Sequence, residues 1–375
     1  KFFRGEAPEA ERPELDDAQW LSLRLPHDWA IEGPFDRNIN PHTGALPISG
    51  TGWYRKTFRL PAEHRGRYLS IEFDGAMANA RVWFNGVELG SRPYGYIGFS
   101  FDLTPHARFG DEPNTLAVRL SPEPNSSRWY PGAGIYRNVW LEMSGAVHVD
   151  RWGTFVRTPD ISTEKAAVVV ETVVRNRRDA AAKVRVRSSI QDHTGAEVSR
   201  QEIPADVPAA GTRSTTTRLT LRKPRLWDIE NPYLYSLVTE ISDGEVVIDR
   251  YVTPFGVRSI AFDPDKGFML NGRRVRLQGV CLHHDLGALG AAVNRRATER
   301  QLEIMKAAGV NAIRTSHNPP SPEQLEYADR LGLLVIDETF DVWKTGKVPI
   351  GYNKHFEEWS ERDTRDMVRR DRNHP

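Results

Sequence analysis

The hydrophobic pattern of the chain changes near residue 262, and this change limits the possible folds more than any other feature. Up to about residue 258 the sequence consists of short apolar runs separated by turn residues, with no helical period. Beyond residue 262, short apolar runs alternate with segments that have the spacing of amphipathic helices. Because 375 residues exceed one ordinary domain, we predict a multidomain chain in which all-β domains precede a parallel α/β domain.

Residues 1–146 are predicted to form a jelly-roll sandwich. Strands are expected at 67–73, 115–120 and 135–143, and Asn85-Gly86 lies between two further apolar runs. An Asn-Gly pair supplies the two positive φ values of a type I′ turn, so it indicates a tight hairpin. Many short strands without helical spacing are typical of a sandwich or jelly roll.

Residues 147–258 are predicted to form a second all-β domain. The expected strands cover 167–174, 182–190, 214–221, 233–241 and 246–252, with Asp243-Gly244 as the last turn. Their number and spacing fit a small immunoglobulin-like β-sandwich of about 100 residues.

Residues 259–375 are predicted to contain three parallel strands with helices between them. The strands are expected at 275–280, 310–314 and 333–337, and a last helix at 355–369. A capping box from Thr298 to Gln301 is expected to open the first helix, and Ser321 to cap the second. No glycine-rich phosphate loop follows any strand, which disfavours a nucleotide-dependent α/β enzyme.

Polar side chains follow each of the three parallel strands at its C-terminal end. They are His283, His284 and Asp285 after the first, Arg314, Ser316, His317 and Asn318 at the second, and Asp337, Glu338 and Trp343 at the third. In a (β/α) barrel this rim binds the substrate. Each residue also has a structural explanation, since a histidine at a strand end can bond the backbone and Asp337 can cap a segment or pair with Arg314.

Composition excludes several classes of partner. Lys plus Arg total 51 and Asp plus Glu total 50, so no overall field would attract nucleic acid or an anionic membrane. No apolar run approaches the roughly 18 residues of a membrane span. The single cysteine, Cys281, excludes an intrachain disulfide and a cysteine-based metal cluster. The compartment stays open between periplasm and cytoplasm, with the periplasm preferred, and a homo-oligomer is left open.

Motifs in the first and third domains, in this order and spacing, resemble glycoside hydrolase family two, the β-galactosidase, β-glucuronidase and β-mannosidase group. In the first domain they are Leu25-Pro26-His27-Asp28-Trp29, Gly52-Trp53-Tyr54-Arg55-Lys56, Phe84-Asn85-Gly86 and Gly132-Ala133-Gly134-Ile135-Tyr136-Arg137. In the third they are Phe268-Met269-Leu270-Asn271-Gly272, Gly279-Val280, Arg314-Thr315-Ser316-His317-Asn318-Pro319, Ile336-Asp337-Glu338 and Arg370-Asp371-Arg372-Asn373-His374-Pro375. The resemblance implies a sugar-binding jelly roll, an immunoglobulin-like domain and about the first three β/α units of a TIM barrel.

The resemblance also implies a retaining mechanism with two glutamates about 5 Å apart. In the family the acid/base glutamate follows the fourth barrel strand in an Asn-Glu pair, and the nucleophile lies on the seventh. Both are therefore expected after Pro375, and residues 1–375 alone are expected to be inactive. The motifs match the family's supporting residues instead. His283 and His317 correspond to histidines that contact the sugar, and Arg314 to the arginine that keeps the nucleophile ionised by lowering its pKa.

Other positions are expected to complete the pocket or depart from the family pattern. Asn318 and Trp343 are placed to line it, with Asp337 and Glu338 in support. Arg128 stands where several relatives have a substrate-contacting Asp, so it could pair with a uronate. The family's Gly-Val-Asn run ends here in Cys281, and no Glu-x-His follows Glu338. We therefore predict no metal site and no cofactor.

The resemblance favours a β-galactosidase acting on an oligosaccharide or β-glycoside. β-Glucuronidase or another β-glycosidase is the alternative within the family. A non-catalytic carbohydrate-binding fragment is the alternative of another class.

Overall fold

A computed structural model describes all 375 residues and confirms the predicted fold class. Two successive regions are built from antiparallel sheets, and the third contains a parallel sheet with helices packed on it. None of the helices combines the length and the apolar character that a membrane span requires.

Eight strands build the first region. They are β1 (Phe2–Arg4), β2 (Gly52–Phe58), β3 (Tyr68–Phe73), β4 (Ala80–Phe84), β5 (Val87–Arg92), β6 (Phe99–Asp102), β7 (Asn114–Leu120) and β8 (Val139–Ser144). One antiparallel sheet has the order β1-β2-β7-β4-β5, and a second has the order β6-β3-β8. Trp29, Phe73 and Phe84 are fully buried in a core to which both sheets contribute. Burial of each such side chain contributes roughly 1.5–3 kcal/mol.

The predicted hairpin is present, but the predicted strand at 135–143 is wrong in its first half. Asn85 and Gly86 connect β4 to β5 with φ values of 51° and 83°. Strand β8 begins only at Val139, because Gly132 and Gly134 take positive φ values and turn the preceding segment into a loop. That loop lies against the third region.

Seven strands build the second region. They are β9 (Val147–Ile161), β10 (Lys165–Asn176), β11 (Ala182–Gln191), β12 (Glu197–Val207), β13 (Thr212–Arg222), β14 (Leu234–Asp243) and β15 (Val246–Gly256). They form two antiparallel sheets, β13-β10-β9 and β12-β11-β14-β15. Val168 and Val170 from the first sheet pack with Leu237 and Phe255 from the second. Strands β9 and β12 were not predicted, since their polar residues leave no clear apolar alternation.

The third region begins with a small antiparallel sheet of β16 (Ile260–Asp263), β17 (Gly267–Leu270) and β18 (Arg273–Arg274). A parallel sheet follows, made of β19 (Gly279–Leu282), β20 (Ala312–Thr315) and β21 (Leu334–Ile336). The helices are α1 (Arg295–Ala307), α2 (Pro322–Leu331) and α3 (Phe356–Asp371). Leu302 of α1 and Tyr327 of α2 pack with Ile313 of β20 in one buried cluster.

The start of the second helix was predicted correctly and that of the first was not. The Ser321 side chain accepts a hydrogen bond from the Gln324 amide and caps α2. Helix α1 begins one turn before the expected Thr298, because the Asn294 side chain caps it by accepting from the Ala297 amide. Asparagine is as good an N-cap as serine, so it competes with the capping-box signal.

The strand expected at 275–280 is also displaced. The Val275 amide bonds back to the Phe268 carbonyl, so the parallel ladder starts at Gly279 and ends at Leu282. His283 is therefore the first residue after the strand.

A loop of the first region fixes the position of the parallel sheet. Arg137, fully buried, donates to the Tyr96 carbonyl at 2.8 Å and to the Pro319 carbonyl at 2.9 Å. His284 Nε2 donates to the Pro131 carbonyl at 3.0 Å. The loop is thereby held against the C-terminal ends of the parallel strands.

Candidate functional site

The three parallel strands end at one edge, as expected for this type of sheet. Cys281 of β19 lies beside Arg314 of β20, and Arg314 lies beside Ile336 of β21. The residues that follow these positions therefore meet on the same side of the sheet. They form a site together with side chains from the first region.

Glu338 is the centre of the hydrogen bonds at this edge. Its Oε2 accepts from His317 Nδ1 at 2.6 Å, and its Oε1 forms an ion pair with Arg314 Nε at 3.0 Å. Its own backbone amide donates to Thr315 Oγ1 at 3.1 Å. One carboxylate thus orients two predicted site residues from the neighbouring strand, and charge-assisted hydrogen bonds of this kind are the stronger ones.

His283 is held between the barrel and the first region. Its Nδ1 donates to the Ser316 carbonyl at 2.7 Å. Its ring stacks on Trp129 with a centroid distance of 5.0 Å and an interplanar angle of 12°. Trp129 also meets His317 edge to face at 5.8 Å. The sequence did not mark Trp129 as a site residue, although it directly follows Arg128.

Arg128 reaches the site but is already paired with a carboxylate. Its Nε donates to Asp341 Oδ2 at 2.8 Å, and its Nη2 donates to Oδ1. Lys347 Nζ adds a bond to Oδ1 at 3.2 Å. Burial alone would raise the pKa of Asp341, but hydrogen bonds from Arg128 and Lys347 outweigh it and keep that pKa below its ordinary value. The sequence reasoning missed the pairing of Arg128 with Asp341, because the two residues are 213 positions apart in the chain.

A cavity of about 430 Å³ opens at this edge. Its lining comprises Arg128, His317, Asp337, Glu338, Thr339, Phe340, Asp341, Trp343 and Lys347. Trp343 is 60% exposed, so its ring is available to a ligand. An aromatic ring, guanidinium and ammonium groups, and carboxylates together suit a polar ligand that carries an apolar face.

Asp337 has a distinct environment in this lining. Burial and the adjacent Asp371 carboxylate raise the pKa of Asp337. Asp371 itself accepts two hydrogen bonds from Arg370, at 2.6 and 2.8 Å. The protonated form of Asp337 is therefore favoured more than that of an ordinary aspartate.

Three other predicted rim residues have structural contacts. Burial lowers the pKa of His284 to about 3, so this histidine is neutral. Asp285 Oδ2 accepts the Gly287 amide at 3.4 Å within a turn. Asn318 is buried and donates to the Pro319 carbonyl at 3.1 Å, away from the cavity lining. No three or more His, Cys, Asp or Glu side chains converge as metal ligands would.

Comparisons with known proteins cover nearly the whole chain. Family models match consecutive parts: the sugar binding domain of glycosyl hydrolases family 2 at residues 29–149, glycosyl hydrolases family 2 at 147–258, and the TIM barrel domain of the same family at 264–375. These matches confirm the predicted resemblance and the sequence of domain types.

Individual relatives agree with the family models. A β-galactosidase of Bacteroides ovatus is 50% identical over 378 residues, which are 100% of this chain and 44% of that protein. A β-glucuronidase of Formosa agariphila is 31% identical over 361 residues, covering 90% of this chain and 37% of that protein. The crystal structure of a glycosyl hydrolase family 2 member from Bacteroides cellulosilyticus superimposes with a TM-score of 0.97 at 41% identity, covering 100% of this chain and 49% of that one. The chain thus spans less than half the length of each of these relatives.

Proposed function

The chain belongs to glycosyl hydrolase family 2, and we propose on that basis that it forms the sugar-binding part of a retaining β-glycosidase whose substrates are terminal β-galactosides. The observation that carries the proposal is the convergence of His283, His317 and Trp129 at the C-terminal edge of the parallel strands. Imidazole nitrogens suit the hydroxyls of a pyranose, and the exposed indole of Trp343 suits its C–H face.

The cavity's own carboxylates are poorly suited to the chemical step. A retaining enzyme needs one carboxylate as nucleophile and another as acid/base, about 5 Å apart. Glu338 is held by Arg314 and His317, and Asp341 by Arg128 and Lys347. Both oxygens of each carboxylate are already in contact with a cation or a histidine, so neither oxygen is free to attack an anomeric carbon. We therefore place both catalytic glutamates in sequence that follows Pro375 in the parent enzyme.

Arg314 is proposed to support the nucleophile. Glu338 occupies only its Nε, and the side chain is 43% exposed. The two terminal nitrogens remain available to a second carboxylate, which a neighbouring cation would keep ionised. His283 and His317 are proposed to bind the glycone, with Trp343 at the open side of the cavity.

The state of Arg128 favours a galactoside over a glucuronide. Arg128 would have to be free to recognise a uronate carboxylate, and it is instead paired with Asp341 through two nitrogens. The β-galactosidase of Bacteroides ovatus is also more similar to this chain than the β-glucuronidase of Formosa agariphila.

Hydrolysis of aryl glycosides by the full-length gene product tests the proposal. We expect the β-galactoside to be cleaved with the highest kcat/KM among the aryl β-galactoside, β-glucuronide and β-mannoside, and the α-galactoside to be inert. Preference for the glucuronide would favour the alternative within the family. Absence of turnover with every β-glycoside would contradict the assignment as a glycosidase.

A non-catalytic carbohydrate-binding role for the 375-residue chain itself is the second candidate, and it rests on the same paired carboxylates. Isolated chain should bind a β-galactoside without cleaving it. Cleavage at a rate comparable to the full-length enzyme would show that the catalytic residues lie within residues 1–375.

A further inference from the structure

Asp341 is a buried carboxylate in the wall of a sugar cavity, and the mechanism proposed above gives it no task. Its side chain is 8% exposed, although it lies on the loop that follows β21. Two cations from separate parts of the chain bind it, Arg128 from the first region and Lys347 from the same loop.

The geometry of this trio leaves the carboxylate buried and the cations open. Arg128 is 42% exposed and Lys347 is 50% exposed, and both line the cavity. Arg128 presents one edge of its guanidinium, Nε and Nη2, to both Asp341 oxygens. This edge can bind only one carboxylate at a time, because the bidentate arrangement uses both of its N–H groups.

We propose that Asp341 is a specificity-determining residue that selects neutral sugars, because its carboxylate occupies the site on Arg128 and Lys347 that a uronate carboxylate would require. This inference rests on the proposed function, since it concerns the sugar bound in the same cavity. The cations that could bind a uronate, Arg128 and Lys347, are present, and the Asp341 carboxylate prevents them from doing so.

Charge at the cavity explains how the selection would act. With Asp341 ionised, Arg128, Lys347 and Asp341 together carry one net positive charge, and the bidentate edge of Arg128 is filled. A uronate would have to displace Asp341, leaving a buried carboxylate without its partners, which disfavours the bound state. A neutral sugar needs no such exchange, because its hydroxyls can accept from the remaining N–H groups.

Substitution of Asp341 by asparagine should therefore reverse the selection. In the full-length enzyme D341N would leave two cations facing the cavity with no protein carboxylate between them. We expect the ratio of kcat/KM for an aryl β-glucuronide to kcat/KM for an aryl β-galactoside to rise about ten- to hundredfold, the range of one charge-assisted contact. The double variant D341N/R128Q should lose most of this gain, because Arg128 offers the bidentate edge whereas Lys347 offers a single contact.

Two further variants make the result specific. E171Q removes a carboxylate from an exposed pair with Arg157 in the second region, and it should leave the ratio unchanged. R128Q alone should not lower the ratio, since Arg128 is engaged by Asp341 in the native protein. If thermal unfolding shows that D341N does not fold, R128Q still tests the inference, because a lower ratio in R128Q would show that Arg128 already binds the uronate in the native protein.

Three results would overturn the inference: an unchanged ratio in folded D341N, an undiminished gain in D341N/R128Q, or a selective loss of glucuronide turnover in R128Q. Failure of the proposed function looks different, because the unmodified enzyme would then not cleave the β-galactoside at all.

Discussion

Replacing Asp28 with alanine should destabilise the junction between the first region and the barrel by about 3 kcal/mol or more. Asp28 is 2% exposed, and its two oxygens accept four hydrogen bonds. Oδ1 accepts from the amides of Ala30 and Ala133, both at 3.0 Å. Oδ2 accepts from the Ala291 amide at 2.9 Å and from the Tyr130 hydroxyl at 2.6 Å. One side chain therefore connects three segments of the chain.

The magnitude follows from the donors that would lose their partner. A buried polar group left without a hydrogen bond costs about 1–3 kcal/mol. Three buried amides and a hydroxyl would each face this cost in D28A, although water entering the space left by the carboxylate would offset part of it. The isosteric variant D28N keeps one acceptor oxygen, so its effect should be about half as large.

Urea unfolding of the full-length protein, followed by tryptophan fluorescence, measures this effect. Trp29 is adjacent and fully buried, so its emission reports the junction. D36A is the matched control, because Asp36 is exposed and accepts only the Asn38 amide. Catalysis should fall in parallel in D28A, since Ala291 ends the loop that begins at His283. A shift in D28A no larger than in D36A would refute the reasoning.

Two further predictions concern other carboxylates. E338Q in the full-length enzyme should lower kcat/KM for the β-galactoside at least tenfold, since a neutral amide cannot hold both Arg314 and His317. The control E326Q removes a carboxylate from the exposed pair with Arg295 and should leave kcat/KM unchanged. Equal activity of the two variants would exclude a positioning role for Glu338. Burial raises the pKa of Asp74 from 3.8 to about 6, so the folded state binds this proton more tightly and loses about 2 kcal/mol of stability as the pH rises from 4 to 7. D74N keeps an acceptor for Trp140 Nε1, so it should be more stable than the unmodified protein at pH 7 but not at pH 4. Urea unfolding at the two pH values measures this difference in stability. An equal difference between D74N and the unmodified protein at both pH values would contradict the raised pKa of Asp74.

Local signals in the sequence were sufficient for much of the fold. Asn85-Gly86 specified its hairpin and Ser321 its helix start, because each acts through its own backbone neighbours. The start of α1 predicted from Thr298 was wrong, because Asn294, an equally good N-cap, lies one turn earlier. Strand β9 was missed because its polar residues leave no clear apolar alternation, although it forms a hairpin with β10, the next strand along the chain.

The candidate site was predictable only where it follows strand ends. His283, Arg314, His317 and Glu338 could be found because parallel strands bring their C-terminal ends to one edge. Trp129 and Asp341 could not, since their roles arise from contacts across more than 150 residues. Arg128 was predicted to lie at the pocket, but its pairing with Asp341 was not predicted, for the same reason.

The loop of the first region that lies against the parallel strands has a consequence for biosynthesis. Residues 128–137 leave the ribosome well before His283, and N-terminal domains generally fold first during synthesis. When β19 emerges, Trp129 and the Pro131 carbonyl are already in place to receive His283 and His284. We therefore expect the first region to act as an intramolecular template for the candidate site, so that slow translation between residues 258 and 283 would favour its correct assembly.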